Sequence, residues 1–155
     1  MQVGQSRDLQ VLGRRLILGG VEIPHDKGLD GHSDADVLTH AVIDALLGAA
    51  GLGDIGEHFP DSDERFKDAD SIELLRTTVA LISQRGFSIV NVDASVMIER
   101  PRVGPFREQI REALAAALGI DAAAANVKAT TGEGMGFVGV EEGAAALAIA
   151  TVTST

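Results

Sequence analysis

The sequence predicts one α/β sandwich domain, residues 1–155, in which helices pack against a single mixed β-sheet. Segments with the two-residue period of strands alternate along the chain with segments that have the helical period of 3.6 residues. Hydrophobic residues make up 45% of the chain and aromatic ones only 3%, so the core must be built from Val, Ile, Leu and Ala. No linker, repeat or low-complexity tract divides the chain.

The first half predicts two strands, a helix and a loop. Gly19-Gly20 marks a bulge or a close backbone approach in the second strand. Ser33 and Asp36 form a capping-box pattern at the start of the helix. The segments are, in order, Gln2 to Leu9, Arg15 to Ile23, Ser33 to Ala50 and the polar loop Gly51 to Asp63.

The second half predicts two more helices and two more strands. Asp70, with Glu73 three residues later, caps a helix that ends at Gly86. The last segment, Ala144 to Thr153, is apolar, and its period does not decide between helix and strand. Between them we expect a strand over Phe87 to Ile98, a loop over Pro101 to Gly104, a helix over Pro105 to Leu118, a strand over Asn126 to Thr131 and a glycine-rich loop over Gly132 to Gly139.

Charge and composition exclude several classes of function. The formal net charge of −10 offers no basic footprint for nucleic acid. No apolar run reaches membrane-spanning length, no signal peptide opens the chain and cysteine is absent, so we expect a cytoplasmic protein without a membrane partner. An acidic protein that binds phosphates needs a bound cation, helix-start N–H groups or a few placed basic side chains.

Two groups of polar residues could carry chemistry. His40 has Asp36 and Asp44 one helical turn away on either side, which suits either a metal ligand or a salt-bridged surface histidine. Asp8 lies within a strand, where a charge must be exposed, paired or liganded. The loop TTGEGMGF could cradle a diphosphate, with Glu133 placed to hold a cation, but it lacks the end of a P-loop motif.

Taken together, several runs of the sequence indicate a particular protein family far more specifically than any single residue group does. The runs ILGGVEIP, HSDADVLTHAVIDALLGAAGLGDIGEHFPDSD, FKDADSIELLR, NVDASVMIERP and NVKATTGEGMGF occur in order over essentially the whole chain. They closely resemble the 2-C-methyl-D-erythritol 2,4-cyclodiphosphate synthase family. The resemblance implies a homotrimer with active sites between subunits, a cytidine diphosphate substrate that releases CMP as it cyclises, and two divalent metals.

The resemblance also assigns roles to individual residues. Asp8 and His40 match ligands of the first metal, typically zinc, and Glu133 matches the carboxylate of the second, typically magnesium or manganese. His32 and Thr131 match the catalytic contacts to the transition state. The matching substrate-binding positions are Ser33, Asp54, Ile55, Gly56, Phe59, Asp61, Asp63, Arg102, Thr130 and Phe137.

The chain departs from the family at the first metal site. Gln10 stands where the family has the second histidine of an Asp-x-His motif, and no histidine occurs before His25. An amide oxygen is a poor zinc ligand and suits harder cations better. Arg7 replaces an aromatic residue, Gly134 a lysine, and Val140 an arginine that faces the central channel of the trimer.

Three functions remain open from the sequence. The first is a working synthase with a weakened first metal site. The second is a paralogue that binds the nucleotide or a diphosphate ligand without cyclising it. The third is a metal-dependent phosphohydrolase on the same scaffold.

Overall fold

A computed structural model describes all residues, 1–155, as a mixed sheet with helices against it. Its elements are β1 (Gln2–Leu12), β2 (Leu16–Leu18), β3 (Val21–Ile23), β4 (Lys27–Leu29), α1 (Val37–Ala49), α2 (Ile55–His58), α3 (Ser71–Gln84), β5 (Phe87–Met97), α4 (Arg107–Leu118), β6 (Ala125–Thr130), α5 (Gly136–Gly139) and β7 (Gly143–Ser154). Short 3-10 turns occupy Glu64–Phe66, Gly104–Phe106 and Ala122–Ala124. The order in the five-stranded sheet is β4-β1-β7-β5-β6, with β5 and β6 parallel and all other neighbours antiparallel. The predicted α/β class with one mixed sheet is therefore confirmed.

The inner face of the sheet lies very close to α1. A Cβ atom on Gly4 would lie 2.2 Å from the carbonyl oxygen of Ala41, so β1 tolerates no side chain there. On the neighbouring strand β7, the inward residues from Ala144 to Ala150 are all buried alanines. Small residues thus let α1 pack against the two central strands, while the large aliphatic core side chains fill the space between the helices.

The outer face of the sheet carries exposed apolar side chains. Val3 on β1 pairs directly with Ile149 on β7, and Leu147 follows two residues earlier on the same side. All three side chains are exposed in the single chain. The sequence did not predict this apolar outer face. Contiguous exposed apolar patches are unusual on monomeric proteins.

The predicted strand Arg15 to Ile23 is wrong as a single element. It is a hairpin in which β2 and β3 flank Gly19 and Gly20, whose φ angles are +59° and +77°. These positive angles match a two-residue hairpin turn, where glycine is preferred because it has no Cβ. The close approach was predicted correctly, because a Cβ on Gly19 would lie 2.4 Å from Ile110 Cγ2.

The first helix starts later than predicted. It begins at Val37, and its N-cap is Asp36, which accepts a hydrogen bond from the backbone N–H of Thr39 at 2.9 Å. Ser33 is not the cap; its hydroxyl oxygen accepts from the backbone N–H of Ala35 at 3.2 Å, within the loop that leads into the helix. The capping-box reading of Ser33 and Asp36 was therefore wrong by one helical turn.

The remaining differences are local. The first strand runs on to Leu12 and pairs with β4, which the sequence did not predict. The undecided terminal segment is the strand β7, at the centre of the sheet. The two predicted loops Gly51 to Asp63 and Gly132 to Gly139 contain the one-turn helices α2 and α5. No helix combines the length and apolar character needed to cross a membrane.

Candidate active site

Two buried oxygen atoms on β1 have no hydrogen-bond partner. They are Asp8 Oδ2 and Gln10 Oε1, which belong to residues two apart and therefore on the same, inner face of the strand. The Gln10 amide nitrogen Nε2 donates to the carbonyl oxygen of Arg100 at 3.1 Å, which fixes the orientation of the amide. Buried acceptors without a donor are costly, so this face of β1 fits a bound cation.

The electrostatics of Asp8 support the same conclusion. Burial raises the pKa of Asp8 above its ordinary value; His40 opposes the increase, and Asp30 and Asp61 add to it. The carboxylate is therefore in a place where its negative charge is poorly compensated by the protein alone. A divalent cation would supply the missing charge.

His40 projects from α1 into a cluster of serines. Its Nε2 lies 2.8 Å from Ser71 Oγ and 3.2 Å from Ser33 Oγ. The predicted flanking by Asp36 and Asp44 is wrong, because the Asp36 carboxylate is buried elsewhere and Asp44 accepts from the backbone N–H of Ile55 at 3.4 Å.

The Asp36 carboxylate instead holds the β2–β3 turn. It accepts from the backbone N–H groups of Gly19 and Gly20 at 2.9 and 2.7 Å, and from the Thr39 hydroxyl at 2.7 Å in addition to the Thr39 N–H. Four donors satisfy this buried carboxylate, which makes its role structural.

A cavity of about 360 Å³ brings most of the predicted site residues together. His32 faces it and its Nε2 lies 3.0 Å from the carbonyl oxygen of Asp63. The predicted residues that line this first cavity are Asp8, His32, Ser33, His40, Ile55, Gly56, Phe59 and Asp61, whereas the predicted metal position Gln10 does not line it. The predicted metal ligands Asp8 and His40 and several predicted substrate positions thus share one cavity.

Two predicted substrate carboxylates have other partners. Asp54 caps α2 and accepts from the backbone N–H of Glu57 at 3.1 Å. The Asp63 carboxylate is held by Arg65 through Nε at 2.9 Å and Nη2 at 2.6 Å, and this guanidinium lowers the pKa of Asp63 below its ordinary value. Neither residue lines the first cavity.

A second cavity, of about 540 Å³, lies at the ends of β5 and β6. It is lined by residues 98–105, which include the predicted cytidine-binding Arg102, and by Thr130 and Thr131. Glu99 shapes its edge by accepting from the backbone N–H of Gly132 at 2.8 Å. The two predicted catalytic residues, His32 and Thr131, therefore line different cavities of one chain.

Glu133 and Phe137 lie outside both cavities. Glu133 is exposed with a φ angle of +52°, and its backbone N–H donates to Thr131 Oγ at 3.2 Å. Phe137 lines a separate cavity of about 450 Å³ on the outer sheet face, beside Arg7 and Leu147. No group of three or more His, Cys, Asp and Glu side chains is arranged so that it could hold a metal ion by itself.

Two residues of this site were missed by the sequence. Ser71 contacts His40 from the first turn of α3. Arg14 donates from Nη1 to the carbonyl oxygen of Gly31 and from Nη2 to that of Ser33, both at 2.9 Å, and so holds the backbone that carries His32. Both contacts join positions far apart in the sequence, and no local pattern indicates them.

The geometry defines a class: an acidic α/β protein with a pocket that can hold a divalent cation beside a polar ligand. The model of the YgbB family matches residues 1–153. The 2-C-methyl-D-erythritol 2,4-cyclodiphosphate synthase of Desulfosudis oleivorans is 55% identical over 98% of this chain and 92% of its own length.

Solved structures agree with the sequence comparison. A 2C-methyl-D-erythritol-2,4-cyclodiphosphate synthase in a CDP-bound form superposes with a TM-score of 0.90 at 32% identity, over 98% of this chain and 99% of its own. The bifunctional IspDF of Campylobacter jejuni superposes with a TM-score of 0.95 at 42% identity; it covers 99% of this chain, which spans 42% of that longer protein. The chain belongs to the YgbB family, that of the 2-C-methyl-D-erythritol 2,4-cyclodiphosphate synthases.

Proposed function

We propose that this protein is a cyclodiphosphate synthase. It converts 4-diphosphocytidyl-2-C-methyl-D-erythritol 2-phosphate to 2-C-methyl-D-erythritol 2,4-cyclodiphosphate and CMP. An oxygen of the 2-phosphate attacks the β-phosphorus, a new P–O–P bond closes the ring, and the bond from the β-phosphorus to the oxygen bridging to the α-phosphate breaks as CMP leaves. The supporting observation is the first cavity, where Asp8 and His40 meet His32 and Ser33, in a chain 55% identical to a named synthase.

The donors on β1 and α1 fit a divalent cation. Asp8 Oδ2 and Gln10 Oε1 are buried acceptors without partners, and His40 adds an imidazole nitrogen. Two oxygens and one nitrogen form a harder donor set than the family's aspartate and two histidines, so zinc binding here is weakened. When bound, the cation supplies positive charge that offsets the repulsion between the attacking and receiving phosphates.

The protein's own groups position the reactants. His32 stands in the first cavity to donate toward a phosphate oxygen, and Arg14 fixes the backbone beneath it. Thr130, Thr131 and Arg102 hold the nucleotide in the second cavity. Phosphoryl transfer needs mainly such positioning and charge neutralisation.

The second cation, magnesium or manganese, is assigned to Glu133. Glu133 is exposed on a loop of glycines, and it belongs to no group of three or more His, Cys, Asp and Glu side chains that could hold a metal ion. The other ligands of this cation would be phosphate oxygens of the substrate, since a small hard ion accepts few protein donors.

We also propose that the working unit is a homotrimer in the cytoplasm. The apolar outer face of β1 and β7 is exposed in the single chain, and His32 and Thr131 line different cavities, which one substrate could bridge where two chains adjoin. The absence of cysteine suits a reducing compartment.

A second candidate function is a binding protein that keeps the pocket without cyclising the ligand. The observation that favours it is Gln10, which stands where the family has a histidine. Its amide donates to the carbonyl oxygen of Arg100. Incubation with the cytidine diphosphate substrate, zinc and magnesium separates the candidates. CMP with the cyclic product, followed by phosphorus NMR, supports the synthase; CMP with an open-chain product indicates a hydrolase; tight nucleotide binding with neither product indicates the binding protein.

A further inference from the structure

His40 is connected through Ser71 to the carboxylate of Asp34. Ser71 is fully buried at the first position of α3, and its Oγ lies 2.8 Å from His40 Nε2. The same hydroxyl donates to Asp34 Oδ1, while the Ser71 backbone N–H donates to Asp34 Oδ2 at 3.1 Å. The backbone N–H of Asp34 in turn donates to the carbonyl oxygen of Ala69 at 3.1 Å, so the start of α3 and the loop before α1 are tied together.

Counting hydrogens decides which tautomer a neutral His40 ring adopts. An ionised carboxylate only accepts, so the single hydrogen of the Ser71 hydroxyl is used by Asp34. Ser71 Oγ can then only accept from His40, which requires that Nε2 carries the hydrogen. Ser33 Oγ, 3.2 Å from the same nitrogen, can accept a share of that bond. The lone pair of the neutral ring is left on Nδ1.

We propose that Asp34 and Ser71 are positioning residues that hold His40 in the Nε2–H tautomer, so that Nδ1 is free to bind the cation. A carboxylate that orients a metal-binding histidine through its other ring nitrogen is a recurrent device in metal sites, and here a serine hydroxyl is interposed. The inference rests on the proposed function in one respect, namely that a cation binds beside Asp8. The tautomer itself does not depend on that function.

The simpler alternative is that Ser71 and Asp34 only anchor the N-terminus of α3. The chain offers a matched control for it. Asp70 is the N-cap of α3 and accepts from the backbone N–H of Ile72 at 2.9 Å, without contacting His40 or Ser71 Oγ. Asp34→Asn and Asp70→Asn each remove one carboxylate charge at the same helix end, but only the first changes what Ser71 can do.

The first measurement is the tautomer of His40 in the metal-free protein at about pH 8.5, where an ordinary histidine is neutral. Long-range ¹H–¹⁵N correlation spectra distinguish the two tautomers, and a His40→Asn variant identifies the signal. We expect Nε2–H in the wild-type protein and in Asp70→Asn. Asparagine at position 34 can donate to Ser71 Oγ, which frees the serine hydrogen for His40, so Asp34→Asn should shift the ring toward Nδ1–H. An Nδ1–H ring in the wild-type protein would overturn the proposal.

The second measurement is zinc affinity, by titration against a coloured chelator. We expect Asp34→Asn and Ser71→Ala to bind zinc about 10–100-fold more weakly than wild type, as is typical when a metal-binding histidine loses the hydrogen-bond partner of its other ring nitrogen. Asp70→Asn should bind zinc as the wild type does. If Asp70→Asn weakens zinc binding as much as Asp34→Asn does, then Asp34 and Ser71 only anchor α3. A wild-type protein that shows the Nε2–H tautomer but binds no cation would contradict the cation site of the proposed function, and with it the role assigned to Asp34 and Ser71.

Discussion

At the scale of single residues, we propose that Gln10 determines which cation the first site prefers. Its amide nitrogen donates to Arg100, and its oxygen is buried without a donor beside Asp8. An imidazole at this position would offer a softer nitrogen ligand, which zinc prefers to an amide oxygen. Gln10 also connects the surroundings of the two cavities. It lies on β1, whose Asp8 lines the first cavity, and it bonds to Arg100, which lines the second.

Restoring the histidine should therefore change metal preference. We expect Gln10→His to bind zinc at least about tenfold more tightly than the wild-type protein, since it completes a site of three protein ligands. Competition with a chelator measures the affinity. The control is Gln5→His, which places an imidazole on the exposed, outer side of the same strand. Equal zinc affinity in Gln10→His and wild type would contradict the assignment of Gln10 as a ligand position.

Arg14 is the residue that supports the loop of His32. Its guanidinium binds two backbone carbonyls at 2.9 Å and lies 3.3 Å from the Asp30 carboxylate, a pattern that a lysine cannot reproduce. We expect Arg14→Lys to lower kcat/KM by about tenfold or more, because small displacements of positioned groups slow phosphoryl transfer. Steady-state kinetics test this.

The neighbouring residue provides the control for that experiment. Arg15 is largely exposed and contacts only Glu22, at 3.6 Å. Arg15→Lys should leave kcat/KM unchanged. If Arg14→Lys also has wild-type kinetics, the loop does not depend on Arg14.

The site could be predicted only in part at this scale. Asp8, His32 and His40 were found because the motif that contains them resembles a family, and the cavity places them together. Ser71 and Arg14 were not found, because their contacts span 31 positions for Ser71–His40 and 19 for Arg14–Ser33. Such contacts depend on how α3 and the β1–β2 connection fold back over α1, which no local pattern encodes.

At the scale of elements, the start of α1 depends on a buried carboxylate. Asp36 is both the N-cap of α1 and the acceptor for the β2–β3 turn, and it is completely buried. Asp70 is also an aspartate N-cap, but it is exposed and serves α3 alone. An aspartate N-cap should therefore contribute more to the free energy of unfolding at position 36 than at position 70.

These two caps should differ in unfolding experiments. We expect Asp36→Ala to lower the free energy of unfolding by about 3–5 kcal/mol, as for loss of a buried charge network. Asp70→Ala should cost about 1 kcal/mol, the usual value for an exposed cap. Urea unfolding followed by circular dichroism measures both. Similar losses in the two variants would show that Asp36 acts as a cap only.

The elements that the sequence predicted well have strong local patterns. The strand at 87–98 alternates strictly, and the helix after Asp70 has a cap, an apolar stripe and a terminal glycine, so both were confirmed within a residue or two. The β2–β3 hairpin was misread because Gly19-Gly20 fits a bulge as well as a turn. The identity of β7 stayed undecided because its inward alanines, selected by contact with α1, have no strong preference for strands.

At the scale of the whole molecule, the sheet separates two functional surfaces. Its inner face supports α1 and the first cavity, while its outer face exposes Val3, Leu147 and Ile149. The predicted catalytic residues His32 and Thr131 line separate cavities within one chain. The proposed association through the outer face would account for both observations, since it would bury the apolar side chains and could bring cavities of neighbouring chains together.

A charge on the outer face should therefore abolish both assembly and catalysis. Leu147 and Ile149 are 44% and 37% exposed and lie outside the buried core, so Leu147→Asp with Ile149→Asp should leave the fold of the single chain intact, which circular dichroism checks. We expect the wild-type protein to sediment with the mass of three chains and this double variant to sediment as a monomer, because burying two unpaired carboxylates at the interface is strongly unfavourable.

The activity of that variant then tests whether the active site is shared. Product formation should fall by at least about 10³-fold if Thr131 must come from a neighbouring chain, since transition-state contacts of this kind contribute on that order. The control is Ala80→Lys, a charge at an exposed position of α3 on the helical side, which should change neither sedimentation nor rate. A folded monomer with wild-type turnover would show that one chain completes its own site, and a double variant that still sediments as a trimer would place the contact on another face.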